Sequence, residues 1–126
     1  MEGRLSMKFE PLTLPAEDGT SLREEYRQAR EIGALRLGQE RLYFRAGLKV
    51  HYIPYGDIRR YFRRIMQVPA KLCCGKGNFD IENLVICGEG GELAQIQLPG
   101  AKAAKIVMER MAELAPEAFV GREPSA

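Results

Sequence analysis

The chain has 126 residues, and its composition, 45% hydrophobic and 29% charged, is typical of a globular protein with one domain. No apolar run approaches the roughly 20 residues that a membrane-spanning helix needs, and the first residues lack the apolar stretch of a signal peptide, so we expect a cytoplasmic protein. The net charge of +2 is uneven: residues 36–76 carry +8 and the rest of the chain carries −6.

The chain begins with a segment, residues 1–20, that is predicted to be irregular or partly extended. Prolines and a glycine interrupt it and prevent a long helix. The residues that follow allow two interpretations. Ser21 and Glu24 have the spacing of a helix-capping box, whereas a strand beginning at about Tyr26 would lead directly into the next hairpin. We favour the strand.

Short strands are predicted for the middle of the chain. Residues 34–37 and 42–45 are apolar-rich runs on either side of a turn with a glycine, which predicts a hairpin. Residues 49–53 alternate polar and apolar side chains and end at Pro54, which cannot donate to a ladder. Residues 58–66 combine aromatic and aliphatic side chains with four arginines, a pattern typical of an edge strand.

The second half of the chain predicts a connection, a hairpin and a helix. Residues 67–83 show little pattern, with one short strand at 71–74, and the strands 84–87 and 93–98 flank a glycine-rich turn. Residues 101–115 predict an amphipathic helix. The apolar stripe that we expect to cover the core comprises Ala104, Val107, Met111 and Leu114.

These elements together predict a mainly β fold with one C-terminal helix. About seven antiparallel strands are expected to form a strongly bent barrel, and the helix is expected to cap its open end. The predicted domain covers residues 21–116, and residues 117–126 are expected to form a loose tail.

Two stretches resemble a known family. Residues 33–44, Gly-Ala-Leu-Arg-Leu-Gly-Gln-Glu-Arg-Leu-Tyr-Phe, are similar to the opening hairpin of GRAM and bacterial pleckstrin-homology-like (PH-like) domains. Residues 53–58, Ile-Pro-Tyr-Gly-Asp-Ile, resemble that family's step into the next strand. The resemblance extends roughly from Ile32 to Ala115. It implies a PH-like fold and a binding role, because the best-known members of the family bind phosphoinositides, peptides or proteins.

The sequence offers little for catalysis. Serine and threonine are absent from residues 22–124, which excludes a serine nucleophile in the domain body. The three cysteines, Cys73, Cys74 and Cys87, and the single histidine lack the paired spacing of a zinc site. One arrangement would be of interest, a cysteine thiol close to His51 and Tyr55. We predict no enzyme activity, no metal and no cofactor.

The predicted function is therefore a noncatalytic module that binds a protein or associates with itself, since exposed strand edges can pair with another chain. The alternative is a binder of anionic ligands, of which acidic lipid headgroups are favoured over nucleic acid. A third interpretation is that the basic charges solvate an outer face or that the basic strands pair in space with the acidic termini. The basic patch proposed for anionic ligands comprises Arg59, Arg60, Arg63, Arg64, Lys71 and Lys76.

Overall fold

The computed structural model describes residues 8–69 and 78–121, which form two β-sheets and two α-helices. A short 3-10 helix, Tyr55–Asp57, separates the fifth strand from the sixth. The elements in chain order are β1 (Lys8–Pro11), α1 (Gly19–Gln28), β2 (Arg30–Ile32), β3 (Leu35–Leu37), β4 (Arg41–Ala46), β5 (Lys49–Pro54), β6 (Arg60–Pro69), β7 (Asn78–Gly88), β8 (Gly91–Gln97), α2 (Ala101–Leu114) and β9 (Phe119–Val120).

The strands form two separate sheets. The strand order is β1-β5-β4-β3-β2 in the first and β8-β7-β6-β9 in the second. The edge strands β1 and β9 pair in parallel with β5 and β6, and the other pairs are antiparallel. The predicted mainly β fold with a C-terminal helix is confirmed. The described residues form no closed barrel, however, because β5 ends at Pro54 and the chain passes through the 3-10 helix into the other sheet.

The main core lies between the two sheets and includes one face of α2. Side chains of β3, β4 and β5 meet side chains of β6, β7 and β8 in one buried cluster. Ala104, Val107 and Met111 are fully buried in it and Leu114 packs against it, as the helical spacing predicts. Burial of a side chain such as Val107 or Met111 contributes about 1.5–3 kcal/mol to folding.

The first helix, α1, corrects the strand expected from Tyr26. Asp18 caps it, because its carboxylate accepts a hydrogen bond from the Ser21 N–H at 3.1 Å. Leu22 and Tyr26 lie one turn apart and are buried against the outer face of the first sheet, where they contact Tyr43, Val50 and Tyr52. The helical alternative is therefore correct, with Asp18 rather than Ser21 at the N-cap.

The strands β6 and β7 are longer than expected. They pair continuously from Arg60 with Cys87 to Pro69 with Asn78, so much of the connection predicted for 67–83 is strand. On one side β8 pairs with β7 only as far as Asn83, and on the other β9 pairs with β6 only at Arg60 and Tyr61. Since solvent reaches both faces of the outer part of this hairpin, its residues lack the alternation by which strands are recognised.

The ends of the described chain also contribute strands. In the segment predicted to be partly extended, β1 pairs with β5, and in the segment expected to be a loose tail, β9 pairs with β6. The predicted short strand at 71–74 lies outside the described residues, as do Cys73 and Cys74. Neither α1 nor α2 is long and apolar enough to cross a membrane.

Candidate functional site

The neighbouring arginines Arg63 and Arg64 lie on opposite faces of β6, because side chains alternate along a strand. The guanidinium of Arg63 donates from Nε and Nη2 to the two carboxylate oxygens of Glu82 on β7, at 3.0 and 2.8 Å. The side chain of Glu82 is only 5% exposed. The hydrogen bonds to Glu82 raise the pKa of Arg63. The charge of this arginine is therefore compensated within the chain.

Arg64 is paired on the other face of the sheet. Its guanidinium donates to Glu92 at 3.1 and 3.2 Å and to Oε1 of Gln95 at 2.6 Å, and both partners lie on β8. The same group lies 5.5 Å from the centre of the Phe62 ring. Two arginines of the predicted basic patch thus serve contacts inside the second sheet.

The other two described arginines of the predicted patch, Arg59 and Arg60, contact different groups. Arg59 donates to the carbonyl oxygen of Gly56 at 2.8 Å, and Nη2 of Arg60 lies 3.5 Å from Sγ of Cys87. Lys71 and Lys76 lie outside the described residues. The structure therefore does not gather the four described arginines around a common cavity, and an anionic-ligand site on them stays a prediction.

Beyond β9, no strand of the described residues pairs with one edge of β6. The carbonyl oxygen of Tyr61 accepts a hydrogen bond from Gly121 at 2.9 Å, next to β9. Since the backbone groups of alternate residues point to the same edge of a strand, those of Arg63, Ile65 and Gln67 point the same way. Within residues 8–69 and 78–121, no strand pairs with β6 there. We call these three residues the free edge.

Exposed apolar side chains cluster at this edge. Ile65 is 50% exposed and Met66 45% exposed, and they lie on opposite faces of β6. Phe119 and Val120 on β9 are similarly exposed. Four of the six large apolar side chains that are exposed in the described chain therefore lie on these two strands. Proteins usually protect such an edge, and an open one is suited to strand addition.

A groove of about 590 Å³ lies between α1 and the turn that joins β3 to β4. Glu25 on its wall accepts hydrogen bonds from the Glu40 N–H at 2.6 Å, the Arg41 N–H at 3.2 Å and Oη of Tyr43 at 2.6 Å, and from the Arg41 guanidinium. Arg41 also donates to Glu17 from Nε and Nη2, at 3.0 and 2.6 Å. We call these side chains, Glu17, Glu25, Arg41 and Tyr43, the Glu25 network.

The electrostatics of this network indicate a structural role. Burial alone would raise the pKa of Glu25, but the hydrogen bonds from Tyr43, Glu40 and Arg41 outweigh it, so the pKa lies below its usual value. Hydrogen bonds to Glu17 and Glu25 raise the pKa of Arg41, and burial raises that of Tyr43. These polar groups already have partners inside the chain. The Glu25 network therefore holds α1 to the hairpin of β3 and β4.

The residues considered for catalysis lie in separate surroundings. His51 stacks on Phe44 with 5.1 Å between ring centres, whereas Tyr55 is buried in the main core and donates to the carbonyl oxygen of Gly38 at 2.8 Å. Burial raises the pKa of Tyr55. Cys87 is buried on the outer face of the second sheet. In the part of the chain that the structure describes, no three His, Cys, Asp or Glu side chains are placed to hold a metal ion.

The sequence indicated an edge strand at 58–66 but not where its edge is open. That depends on where β8 and β9 stop pairing, which only the assembled sheet defines. The available signal was the Ile65-Met66 pair beside arginines, which places apolar side chains on both faces of a strand.

Comparisons with protein-family models, with curated proteins and with solved structures find no match for this chain.

Proposed function

We propose that this protein is a noncatalytic interaction module that binds an extended protein segment, from another protein or from a second copy of itself, along the free edge of β6. The observation that carries the proposal is the run of outward-facing backbone groups at Arg63, Ile65 and Gln67, together with the half-exposed side chains of Ile65 and Met66. An added strand would satisfy these backbone groups and cover apolar surface at the same time.

The charges near this edge also favour a protein segment over an anionic ligand. Arg63 is bound to Glu82 and Arg64 to Glu92, so an anion would have to compete with carboxylates that are already in place.

The PH-like fold implied by the resemblance is part of the proposal. What supports it is the mainly β architecture in which the stripe of α2 is buried in the core.

The test is crosslinking from a defined position. A photoreactive amino acid replaces Met66 in the full chain, or Leu48 as the control, which is 93% exposed on the β4–β5 turn. We expect adducts from position 66, with the pure protein or in an extract of its native cells, and none from position 48. The adducts should disappear in Gln67→Pro, which removes an outward N–H, and persist in Gln67→Ala, which keeps it.

Two results would overturn the proposal. One is the absence of any adduct at position 66 beyond those at position 48. The other is a set of adducts that Gln67→Pro leaves unchanged, because binding would then not use the backbone of this edge. Binding to anionic vesicles or oligonucleotides that weakens with salt and in Arg64→Ala would favour the basic patch instead.

A further inference from the structure

The free edge of β6 is complementary to itself. In an antiparallel pair of two copies, related by a two-fold axis normal to the sheet, each residue stays on its own face. A residue of β6 can then lie opposite only a residue that shares its face, and the outward backbone groups belong to Arg63, Ile65 and Gln67. The outward groups of two copies can therefore bond with each other when the axis passes through any residue from Arg63 to Gln67, which gives five registers.

The chain itself selects among the five registers. An axis at Arg64 would place two arginines opposite each other, and Gln67 opposite Tyr61, whose carbonyl is occupied. An axis at Met66 would place Arg63 opposite Pro69, which has no N–H. An axis at Arg63 would place two arginines opposite each other and would need the carbonyl of Tyr61, which Gly121 already occupies. An axis at Gln67 would place Pro69, which has no N–H, opposite Ile65. An axis at Ile65 pairs Ile65 with its equivalent and Arg63 with Gln67. Only this register lets all three outward residues form both of their backbone hydrogen bonds.

The side chains fit the same register. On one face, Ile65 meets Ile65 of the second copy, and both are half exposed in the single chain. On the other face, Arg64 lies opposite Met66, and the pairing stops before Phe62, because Gly121 already lies beside that residue. The two Arg63 residues are four positions apart, roughly 13 Å, and Glu82 compensates each of them. No like charges therefore lie directly opposite each other across the contact. The two Arg64 residues are diagonal neighbours on the other face, and Glu92 compensates each of them.

We propose that the occupant of the free edge is a second copy of this chain, bound antiparallel with Ile65 on the two-fold axis. Two four-stranded sheets then join into one continuous sheet. This inference rests on the proposed function, which requires that the edge bind an extended segment. It goes further in naming that segment, β6 itself, and the register. The contact extends from Arg63 to Gln67 on each copy. It is bounded by β9 at one end of this segment and by Pro69 at the other.

The first test measures association of the full chain by sedimentation over a wide concentration range. We expect a monomer–dimer equilibrium whose Kd increases roughly tenfold or more in Gln67→Pro, because two-fold symmetry removes two hydrogen bonds at once. Gln67→Ala is the matched control and should change the Kd about twofold or less. Circular dichroism of both variants checks that each is folded.

The second test measures the register by disulfide formation, in chains where Cys73 and Cys74 are replaced by serine. Ile65→Cys places two thiols opposite each other, about 5.5 Å between Cα atoms, which is within the range of a disulfide. Gln67→Cys places its thiol opposite Arg63 instead. We expect mild oxidation to link Ile65→Cys chains roughly tenfold more than Gln67→Cys chains, with the 65–65 bond identified by mass spectrometry.

The outcomes separate this inference from the proposed function. A chain that stays monomeric while position 66 crosslinks to a different protein would overturn the self-pairing and leave the proposed function standing. The absence of any specific adduct would overturn both. Equal linkage of the two cysteine variants would also overturn the self-pairing. So would a dimer that forms only when the chain is shortened to end at Gly121, because the full chain would then not pair through this edge.

Discussion

The Glu25 network and the free edge of β6 are both rich in polar groups, but they differ in how those groups are satisfied. Glu25 accepts hydrogen bonds from two backbone N–H groups and two side chains, and Arg41 joins it to Glu17. At the free edge the backbone of Arg63, Ile65 and Gln67 has no strand beside it in the described chain.

The difference shows which region the chain completes by itself. The pocket-like groove beside α1 resembles a binding site in shape, yet its wall is held by contacts within the protein. The free edge does not line this groove, and in the described chain no strand pairs with its backbone, beside which Ile65 and Met66 are half exposed. If the free edge is the binding surface, as proposed, concave shape alone would have selected a different region. The predictions below test whether the Glu25 network is structural and whether the charges beside the edge are committed within the chain.

The largest effect is expected from Glu25→Ala. The substitution leaves Arg41, Tyr43 and two backbone N–H groups without their acceptor, so we expect the free energy of unfolding to fall by about 3 kcal/mol. Urea unfolding measured by circular dichroism gives this value. The matched control is Glu24→Ala, which removes an exposed pair with Arg27 and an exposed hydrogen bond from Gln28 and should change stability by about 0.5 kcal/mol or less.

Similar losses in the two variants would contradict the structural role of the Glu25 network. A Glu25→Ala protein that had normal stability but no longer bound its partner would contradict this structural role more strongly. The groove would then be a binding site rather than a contact that holds α1 to the hairpin.

The adjacent arginines of β6 give the second comparison. Arg63→Ala leaves the carboxylate of Glu82, which is only 5% exposed, without its partner, and we expect a loss of about 2 kcal/mol. Arg64→Ala removes a pair with Glu92, which is 44% exposed, and should cost about 0.5 kcal/mol. The same unfolding measurement ranks them. Equal losses would show that the two charges are not held as differently as their burial indicates.

The sequence was sufficient where structure is local. The hairpin of β3 and β4 and the buried stripe of α2 follow from short-range patterns, and both were predicted correctly. The helix α1 was not predicted correctly. It is stabilised by the burial of Leu22 and Tyr26 against a sheet that later residues form, which the local sequence does not show. The separation into two sheets and the parallel strand β9 depend on contacts between residues distant in the chain, which periodicity does not report.

The candidate site was predictable only in part, for the same reason. The composition of 58–66 marked an edge strand rich in arginine, but the partners of those arginines were not evident. Glu82 lies in a segment without visible pattern, and Glu92 lies next to a glycine turn. The pairing of β6 with β7, and of β7 with β8, brings these carboxylates to the arginines. Arg63 and Arg64 do pair with carboxylates of the chain, but those carboxylates lie on β7 and β8 rather than at the acidic termini that the third interpretation expected.

The smallest of the three effects is a dependence of stability on acid pH. Because the pKa of Glu25 in the folded protein lies below its ordinary value of 4.5, the unfolded chain takes up the proton first as the pH falls. The stabilisation is therefore complete above the ordinary value and is lost as the pH falls through the folded pKa. Arg41 and Tyr43 stay protonated throughout, since their pKa values are raised.

The reference for this dependence is Glu25→Gln, whose amide cannot ionise. Other carboxylates, including Glu10 beside Lys49, titrate in both proteins, so the difference between the two unfolding free energies isolates Glu25. We expect this difference to be constant above about pH 5 and to shrink toward pH 3, as protonation makes Glu25 resemble a neutral amide. A difference that did not change over this range would mean that the carboxylate is not held in its ionised form by the Glu25 network, and the contrast with the free edge would lose its electrostatic basis.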